Sequence, residues 1–224
     1  MFCRCFSILI FACSLFSIAK AQETEYMFEI GAGAGISWAY GDINKTKAFY
    51  SPAFAGEAIF RYNLNPRWAF AASILSEGVK GDSKDFDNKF PGNAHLKFNN
   101  RVWQLSFRPE FNFWNYGWVN DYRAKKHVAP FLTIGAGLGF STGDGETGFV
   151  FSIPIGGGVK WKMTQRTNAQ LTCLFSRTFG DKADGIRDPY GIDSSDFLKS
   201  DWIGTLLFSV TFDFKERCVD CNKK

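Results

Sequence analysis

Apolar and polar side chains alternate along most of this chain with a period of two residues. In the stretch 101–113, one face carries Trp103, Leu105, Phe107, Pro109, Phe111 and Phe113. The other face carries Val102, Gln104, Ser106, Arg108, Glu110 and Asn112. Such alternation predicts a β-strand with one apolar and one polar face. The same pattern predicts eight strands, at 27–41, 52–64, 67–79, 100–114, 128–140, 149–162, 167–180 and 201–214.

The connections between these strands also alternate in length. The segments 65–66 and 163–165 are tight turns, whereas the other side has the longer, polar segments 42–51, 80–99, 141–148 and 181–200. Short periplasmic turns and longer external loops are typical of bacterial membrane barrels. The exception is 115–127, which should be a periplasmic turn yet is long and basic.

The size of the side chains indicates which face points inward. An eight-stranded barrel has an interior only wide enough for a modest filling of side chains. The apolar faces carry most of the Phe, Trp and Tyr, whereas the polar faces carry small residues such as Gly31, Gly33 and Gly35. The large apolar residues must therefore face lipid. The sequence predicts an all-β fold, an eight-stranded antiparallel transmembrane β-barrel of the outer-membrane type, over 22–214.

The tryptophans support this prediction because they lie at or near strand ends. Trp collects at the two membrane–water interfaces, where its ring and its N–H are both satisfied. We therefore predict two interfacial girdles built from Trp38, Trp68, Trp103, Trp114, Trp118, Trp161 and Trp202.

The two ends of the chain indicate export. A basic start, an uncharged apolar run over 5–18 and the sequence Ala19-Lys20-Ala21 predict a signal peptide over 1–21. Its removal takes Arg4 and Lys20 from the 26 basic residues and leaves 24 against 22 acidic residues. This balance argues neither for nor against a nucleic-acid partner, and none is expected. A polar periplasmic tail over 215–224 follows the last strand, so both termini are expected in the periplasm of a Gram-negative-type bacterium.

The inward faces collect charged residues on the periplasmic side of the predicted barrel. Because an isolated buried charge is costly, three acids and three bases in a narrow lumen should pair. The resulting charge layer is predicted to close the lumen, and a gated ion or proton path is the alternative. Its members are Glu29, Arg61, Arg108, Glu110, Lys160 and Asp213.

The periplasmic side also carries the expected contacts with partner proteins. A bare barrel needs neither the basic turn nor the tail, which predicts a docking surface formed by Arg123, Lys125, Lys126, Cys218 and Cys221. In an oxidising compartment the two tail thiols should form a disulfide, either with each other or with a partner. The sequence leaves that choice open.

No constellation predicts catalysis, a metal site or a cofactor. The two histidines, His95 and His127, fall in predicted connections at opposite ends of the barrel, and no serine is fixed beside either. Two tail cysteines alone provide too few ligands for zinc. We therefore expect a protein that is not an enzyme and that contacts outer-membrane lipids.

Several segments resemble the PorG family of small outer-membrane barrels associated with type IX secretion and gliding motility. They are FRYNLNPRWAF at 60–70, VWQLSFRPEFNF at 102–113, PFLTIGAGL at 130–138, IPIGGGVKW at 153–161 and the strand 201–214. The chain departs from the family after its seventh strand and at Thr172 and Ser176, where an acid and an arginine are frequent.

The resemblance implies a membrane anchor for the periplasmic ring of the secretion complex. In that family the ring is formed by a lipoprotein and its partner subunit, and the barrel has no catalytic role. A small outer-membrane pore or solute channel is the main alternative, and a lipid-modifying outer-membrane hydrolase is a third.

Overall fold

The computed structural model describes residues 25–40, 49, 51–82, 97–118, 125–143, 148–179 and 200–217. Within these residues no helix is long and apolar enough to cross a membrane. The described strands are β1 Glu25–Tyr40, β2 Ala53–Asn63, β3 Trp68–Asp82, β4 Lys97–Asn112, β5 Val128–Ile134, β6 Ala136–Gly143, β7 Gly148–Lys162, β8 Thr167–Phe179 and β9 Ser200–Arg217.

The strands form one closed antiparallel ring. Each strand pairs with the next along the chain, and β9 pairs with β1 to close the ring. Both β5 and β6 lie between β4 and β7, so they are two halves of one barrel strand and the ring has eight strands. We call the end with the connections 64–67, 113–127 and 163–166 the turn end, and the opposite end the loop end.

The interruption between β5 and β6 has a cause in the neighbouring strands. Pairing of β4 with β5 ends at Glu110–Thr133 and resumes with β6 at Phe107–Ala136, so Pro109 lies at the gap. On the other side, the Gly135 N–H donates to the Pro154 carbonyl at 2.8 Å. Proline has no N–H to donate in return, so the ladder is incomplete here without a change of register.

The side chains confirm the predicted assignment of faces. Leu105 and Phe107 on the outer face are 61% and 56% exposed, whereas Ser106 between them is 1% exposed. The outward face is apolar around the ring, and polar residues fill the inside. This distribution of apolar and polar side chains is the reverse of that in a water-soluble barrel and is typical of a barrel surrounded by lipid.

Glycines permit the closure between β1 and β9. A Cβ added at Gly35 would lie 1.8 Å from the carbonyl oxygen of Leu206, and one at Gly31 would lie 2.1 Å from that of Val210. No side chain fits at such distances. The glycine run 31–35 therefore allows a close approach of the first and last strands, in addition to its predicted place on the small inward face.

The strands extend further than the sequence predicted, mainly at β3, β4 and β9. The tail expected from residue 215 begins later, because β9 continues to Arg217. The barrel belongs to the compact unit Tyr26–Lys215, and a second unit comprises Met1–Glu25 with Glu216–Lys224. The predicted signal peptide and residues 218–224 lie outside the described residues.

Candidate functional site: the barrel lumen and its turn-end mouth

Arg61 on β2 is the centre of an ion-pair network in the turn half of the lumen. Its guanidinium pairs with Glu29 on β1 and, through Nε at 2.8 Å, with Glu110 on β4. A guanidinium N–H also donates to Gln170 Oε1 at 2.5 Å. These ionic side chains are only 1–2% exposed, so each charge depends on its partners rather than on water.

Lys160 on β7 extends this network across the lumen. Its ammonium donates to Glu110 Oε2 at 2.6 Å and lies 4.8 Å from the centre of the Phe131 ring. Glu110 therefore accepts from two cations that come from opposite walls of the barrel. Ion pairs of this kind join distant strands through the lumen and leave little free space between them.

A second ion pair lies closer to the turn end. Lys162 pairs with Asp213, and Asn168 Nδ2 donates to Asp213 Oδ1 at 2.6 Å. The Tyr116 hydroxyl donates to Asn168 Oδ1 at 2.9 Å. Burial raises the pKa of Tyr116, with Glu29 the next contributor, so this phenol remains a hydrogen-bond donor at neutral pH.

The connection 113–127 reaches across the turn-end mouth. The Tyr116 N–H donates to the carbonyl of Pro66 in the β2–β3 turn at 3.1 Å, while its hydroxyl reaches β8. Arg67 Nε donates to Asn115 Oδ1 at 3.0 Å and fixes the same segment from outside. The described part of this connection is therefore packed against the β2–β3 and β7–β8 hairpins and covers the mouth.

A third ion pair lies nearer the middle of the barrel. Arg108 on β4 donates to Glu57 Oε1 at 2.5 Å and to Ser106 Oγ at 2.9 Å. Ser209 Oγ lies 3.4 Å from the second oxygen of Glu57, and Ser73 Oγ lies 3.0 Å from Ser106 Oγ. Small hydroxyl side chains thus add hydrogen bonds to this pair, whereas the buried Arg108 Nε has no hydrogen-bond partner among the described residues.

The loop half of the lumen contains one acid, Glu77, that has no cation within ion-pair distance among the described residues. Its side chain is fully buried and accepts from Thr205 Oγ1 at 2.5 Å and from Gln104 Nε2 at 3.2 Å. Ser152 Oγ donates to Gln104 Oε1 at 2.6 Å and fixes the orientation of that amide. Neutral hydrogen bonds therefore hold Glu77 in place.

Apolar side chains occupy much of the rest of the loop half, beside small buried polar residues such as Ser37, Asn100 and Thr178. The apolar side chains point inward and are at most 2% exposed, and four of them form a contiguous cluster. An apolar core inside a membrane barrel was not predicted, since the sequence analysis assigned large apolar residues to the lipid face. The cluster is formed by Ala55, Leu75, Leu174 and Leu207, and Val79, Val102 and Ile203 are also buried.

The six residues predicted for a charge layer all lie inside the barrel, although they do not form one layer. Glu29, Arg61, Glu110 and Lys160 form the network around Arg61, whereas Arg108 pairs with Glu57 and Asp213 pairs with Lys162. The described lumen thus contains five acids and four bases rather than three of each. The missed residues are Glu57, Glu77 and Lys162.

The missed residues had a signal in the sequence. Glu57 lies four residues before Arg61, and Lys162 lies two residues after Lys160, so both share the inward phase of their strand. Glu77 has the same phase as Leu75 and Val79, whose apolar character concealed that this face points inward.

Six of the seven tryptophans lie on the outer surface, where they are between 39% and 56% exposed. Trp38 faces outward too but is only 2% exposed, because Phe49 and Phe175 cover it, with the Phe49 ring centre at 4.4 Å. It packs on Gly204, where an added Cβ would lie 2.3 Å from the indole. Trp38 is thus buried against the barrel wall.

The residues predicted to contact partners are not all available on the surface. Lys125 is 8% exposed, and the ammonium of Lys126 lies 4.1 Å from the centre of the Trp114 ring. Arg123, Cys218 and Cys221 lie outside the described residues, as does His95. Cys173 is a free thiol on the outward face of β8.

No group of three His, Cys, Asp or Glu side chains within the described ranges could hold a metal ion. His127 lies beside Trp118, with ring centres 4.8 Å apart, and its carbonyl accepts from the Lys162 N–H. The arrangement of the described residues is suited to filling and cross-linking a lumen within a lipid-facing wall. These features define an eight-stranded antiparallel transmembrane β-barrel of the outer-membrane type.

The chain belongs to the family described as "Domain of unknown function (DUF6089)", which matches residues 3–223. A search of curated proteins found no match to this chain.

Solved structures show the same fold. Neisserial surface protein A (NspA) has 14% identity, covering 84% of this chain and 97% of that one, with a TM-score of 0.54. The N-terminal β-barrel domain of Pseudomonas aeruginosa OprF has 15% identity over 86% of this chain and 100% of its own, with a TM-score of 0.46. The outer membrane protein OprG from Pseudomonas aeruginosa has 8% identity, coverage of 86% and 97%, and a TM-score of 0.46. Only the similarity to NspA is used here as support, and it supports the fold alone.

Proposed function

We propose that this chain is a non-enzymatic outer-membrane protein of a Gram-negative-type bacterium whose barrel is a closed membrane anchor. The observation that supports this proposal is the filling of the lumen at successive levels. Tyr116 covers the turn-end mouth, the network around Arg61 lies above it, and the apolar cluster around Leu207 lies in the loop half. A filled barrel contributes stability and position in the membrane rather than a route for solutes.

The finer part of the proposal is that the anchor serves the periplasmic ring of a type IX secretion and gliding machinery. Its support is the resemblance to the PorG family along most of the chain after the predicted signal peptide. By analogy with membrane barrels that have short periplasmic turns, the turn end would face the periplasm, and with it both termini. The ring subunits, a lipoprotein and its partner, would then meet this end.

The proposed contact with the ring depends mainly on Arg123 and the tail. Lys125 is buried, so it is not a prominent contact for a large partner, whereas Lys126 is exposed beside the Trp114 ring. Cys218 and Cys221 would add a disulfide, with each other or with a ring subunit. Two weak contacts through one turn and one tail would raise the effective concentration of each for the same partner.

The experiment is cross-linking in intact cells followed by affinity purification and mass spectrometry. Because β9 continues to Arg217, the test variant removes only 218–224 and preserves the barrel. We expect this variant to insert normally but to recover ring subunits at a clearly lower yield. Arg123→Gln should lower the yield further, with Lys80→Gln at the loop end as the matched control. Equal recovery with the truncated protein would contradict the role of the tail.

A second experiment tests the thiols. Replacing Cys218 and Cys221 by Ser should abolish any disulfide-linked species on a non-reducing gel, whereas Cys173→Ser on the lipid face should leave it unchanged. Recovery of subunits other than those of a secretion ring would contradict the finer proposal and leave the closed anchor standing.

The filled lumen also weighs against the pore alternative. A channel needs a continuous water-filled path, whereas buried charges here are paired across the lumen by Arg61, Arg108 and Lys160. The hydrolase alternative is addressed by lipid analysis of a deletion strain, in which the proposal predicts no change in acyl-chain composition.

A further inference from the structure

The turn-end rim of the barrel carries exposed basic side chains at four places around the ring. Arg67 lies in the β2–β3 turn, Lys126 in the β4–β5 connection, Arg166 in the β7–β8 turn and Lys215 near the end of β9. Each connection described at this end thus presents a cation. Because these residues lie at different hairpins or strand ends, the cations are distributed around the circumference and do not form a single patch.

Three of these cations are positioned against aromatic rings of the rim. The Lys126 ammonium lies 4.1 Å from the Trp114 ring centre, and that of Lys215 lies 5.5 Å from the Phe28 ring centre. Arg166 stacks at 5.4 Å on Tyr26 and donates to its hydroxyl at 2.9 Å. Cation–π contacts of this kind hold flexible side chains at the depth of the aromatic girdle.

The aromatic rings fix the depth of these cations in the membrane. Phe28 packs against Phe60, Tyr62 and Phe214 on the outward face, with ring centres 5.4–5.7 Å apart. Aromatic girdles lie at the headgroup level. A cation fixed beside such a ring lies at the level of lipid phosphates.

The acids at this end point elsewhere. In the described part of Tyr26–Lys215, the acidic side chains of the turn half are Glu29, Glu110 and Asp213, and all three are buried in the lumen with cationic partners. Of the strand residues outside that unit, Glu25 begins β1, and the exposed Glu216 and the base Arg217 end β9. The outward rim of the barrel unit is therefore basic as far as it is described.

We propose that this rim binds the phosphates of anionic phospholipid headgroups in the leaflet that surrounds the turn end. The inference depends on the membrane-spanning fold and not on the secretion role. Lys and Arg near an anionic surface are each worth about 1 kcal/mol, which is about fivefold in binding. Anionic lipid would thus be held around the barrel and fix its depth and tilt.

The test uses the tryptophans of this end as reporters. Trp68, Trp114, Trp118 and Trp161 are exposed on the turn-end surface, and brominated lipids quench Trp fluorescence on contact. The full chain is folded into vesicles of phosphatidylcholine that contain brominated phosphatidylglycerol or brominated phosphatidylcholine. The ratio of the two quenching curves gives the relative association constant for the anionic lipid.

We expect the native protein to prefer phosphatidylglycerol about fivefold at low salt and less in 0.5 M NaCl, because the attraction is screened. In the triple variant Arg67→Gln, Lys126→Gln and Lys215→Gln the preference should fall below about twofold. Replacing the two lysines by Arg should preserve it. Gel mobility before and after heating checks that each variant is folded.

The position control neutralises the outward basic residues Lys80 and Arg101 at the loop end, and it should leave most of the preference in place. Equal quenching by the two lipids with the native protein would overturn the proposal. So would an unchanged preference in the triple variant, or an equal loss in the loop-end control. Since every arm uses folded barrel and lipid only, failure here is separable from failure of the secretion role.

Discussion

The two halves of the lumen are filled by different chemistry. The turn half is cross-linked by ion pairs around Arg61 and by Lys162 with Asp213. The loop half contains an apolar cluster around Leu207, several small buried polar residues and the acid Glu77, which has no cation within ion-pair distance in the part of the chain that the structure describes. Both halves are filled by side chains. The turn half depends on the pairing of buried charges, whereas the loop half depends mainly on close packing.

The two halves should therefore tolerate different substitutions. In the turn half, removal of one ion leaves its partners buried and unpaired, which costs more than the pair contributes. In the loop half, volume matters and charge does not. The free energy of unfolding of each variant, measured by urea titration in lipid vesicles, distinguishes the two halves.

Arg61→Met should have the largest effect. It leaves Glu29 and Glu110 without their shared guanidinium, and breaking a buried pair in this way costs about 3–5 kcal/mol. Lys80→Met, which removes an exposed cation at the loop end, serves as the control and should change stability by less than about 0.5 kcal/mol. Similar losses for the two variants would show that the network contributes little.

Leu207→Ala should destabilise the loop half by about 3 kcal/mol, because it opens a cavity in a fully buried cluster. Leu207→Met preserves the volume and should cost less than about 1.5 kcal/mol. If Ala and Met behave alike, the loop half is not closely packed.

Tyr116→Phe should cost about 1 kcal/mol through loss of the hydrogen bond to Asn168. Because burial raises the folded-state pKa of Tyr116 above its unfolded value near 10, its contribution is present below about pH 10 and is lost above it. The unfolding free energy of the native protein should therefore decrease above pH 10 more steeply than that of the Phe variant. Parallel pH profiles would contradict this assignment.

Glu77→Gln should have the smallest effect, below about 1 kcal/mol, because the amide preserves the shape and no cation loses a partner. Glu110→Gln is the matched change in the other half and should cost about 3 kcal/mol, since Arg61 and Lys160 both depend on that carboxylate. Equal costs for the two substitutions would remove the distinction between the halves.

The sequence alone predicted the ring of eight strands and its faces because both follow from a strict period of two. In 102–113 each outward residue is apolar and most inward residues are polar, so the faces are read directly. The small size of an eight-stranded interior then decides which face points inward. Strand periodicity and the volume of the interior can both be evaluated without knowing which side chains contact each other.

The pairing inside the lumen could not be predicted in the same way. Arg108 on β4 pairs with Glu57 on β2 and not with Glu110 on its own strand. Pairing between strands depends on their stagger, and periodicity carries no information about stagger. The apolar cluster was missed because Leu174 and Leu207 occupy inward positions of their strands but are as large and apolar as the lipid-facing residues. The cover formed by Tyr116 depends on how a long connection folds, for which alternation gives no signal.

Single-channel recording in planar bilayers determines whether the lumen is closed. Purified, folded protein should produce no steady conductance at either polarity, in bilayers where an added open porin does produce channels. Stable and reproducible channels from the native protein would contradict the closed lumen and support a pore.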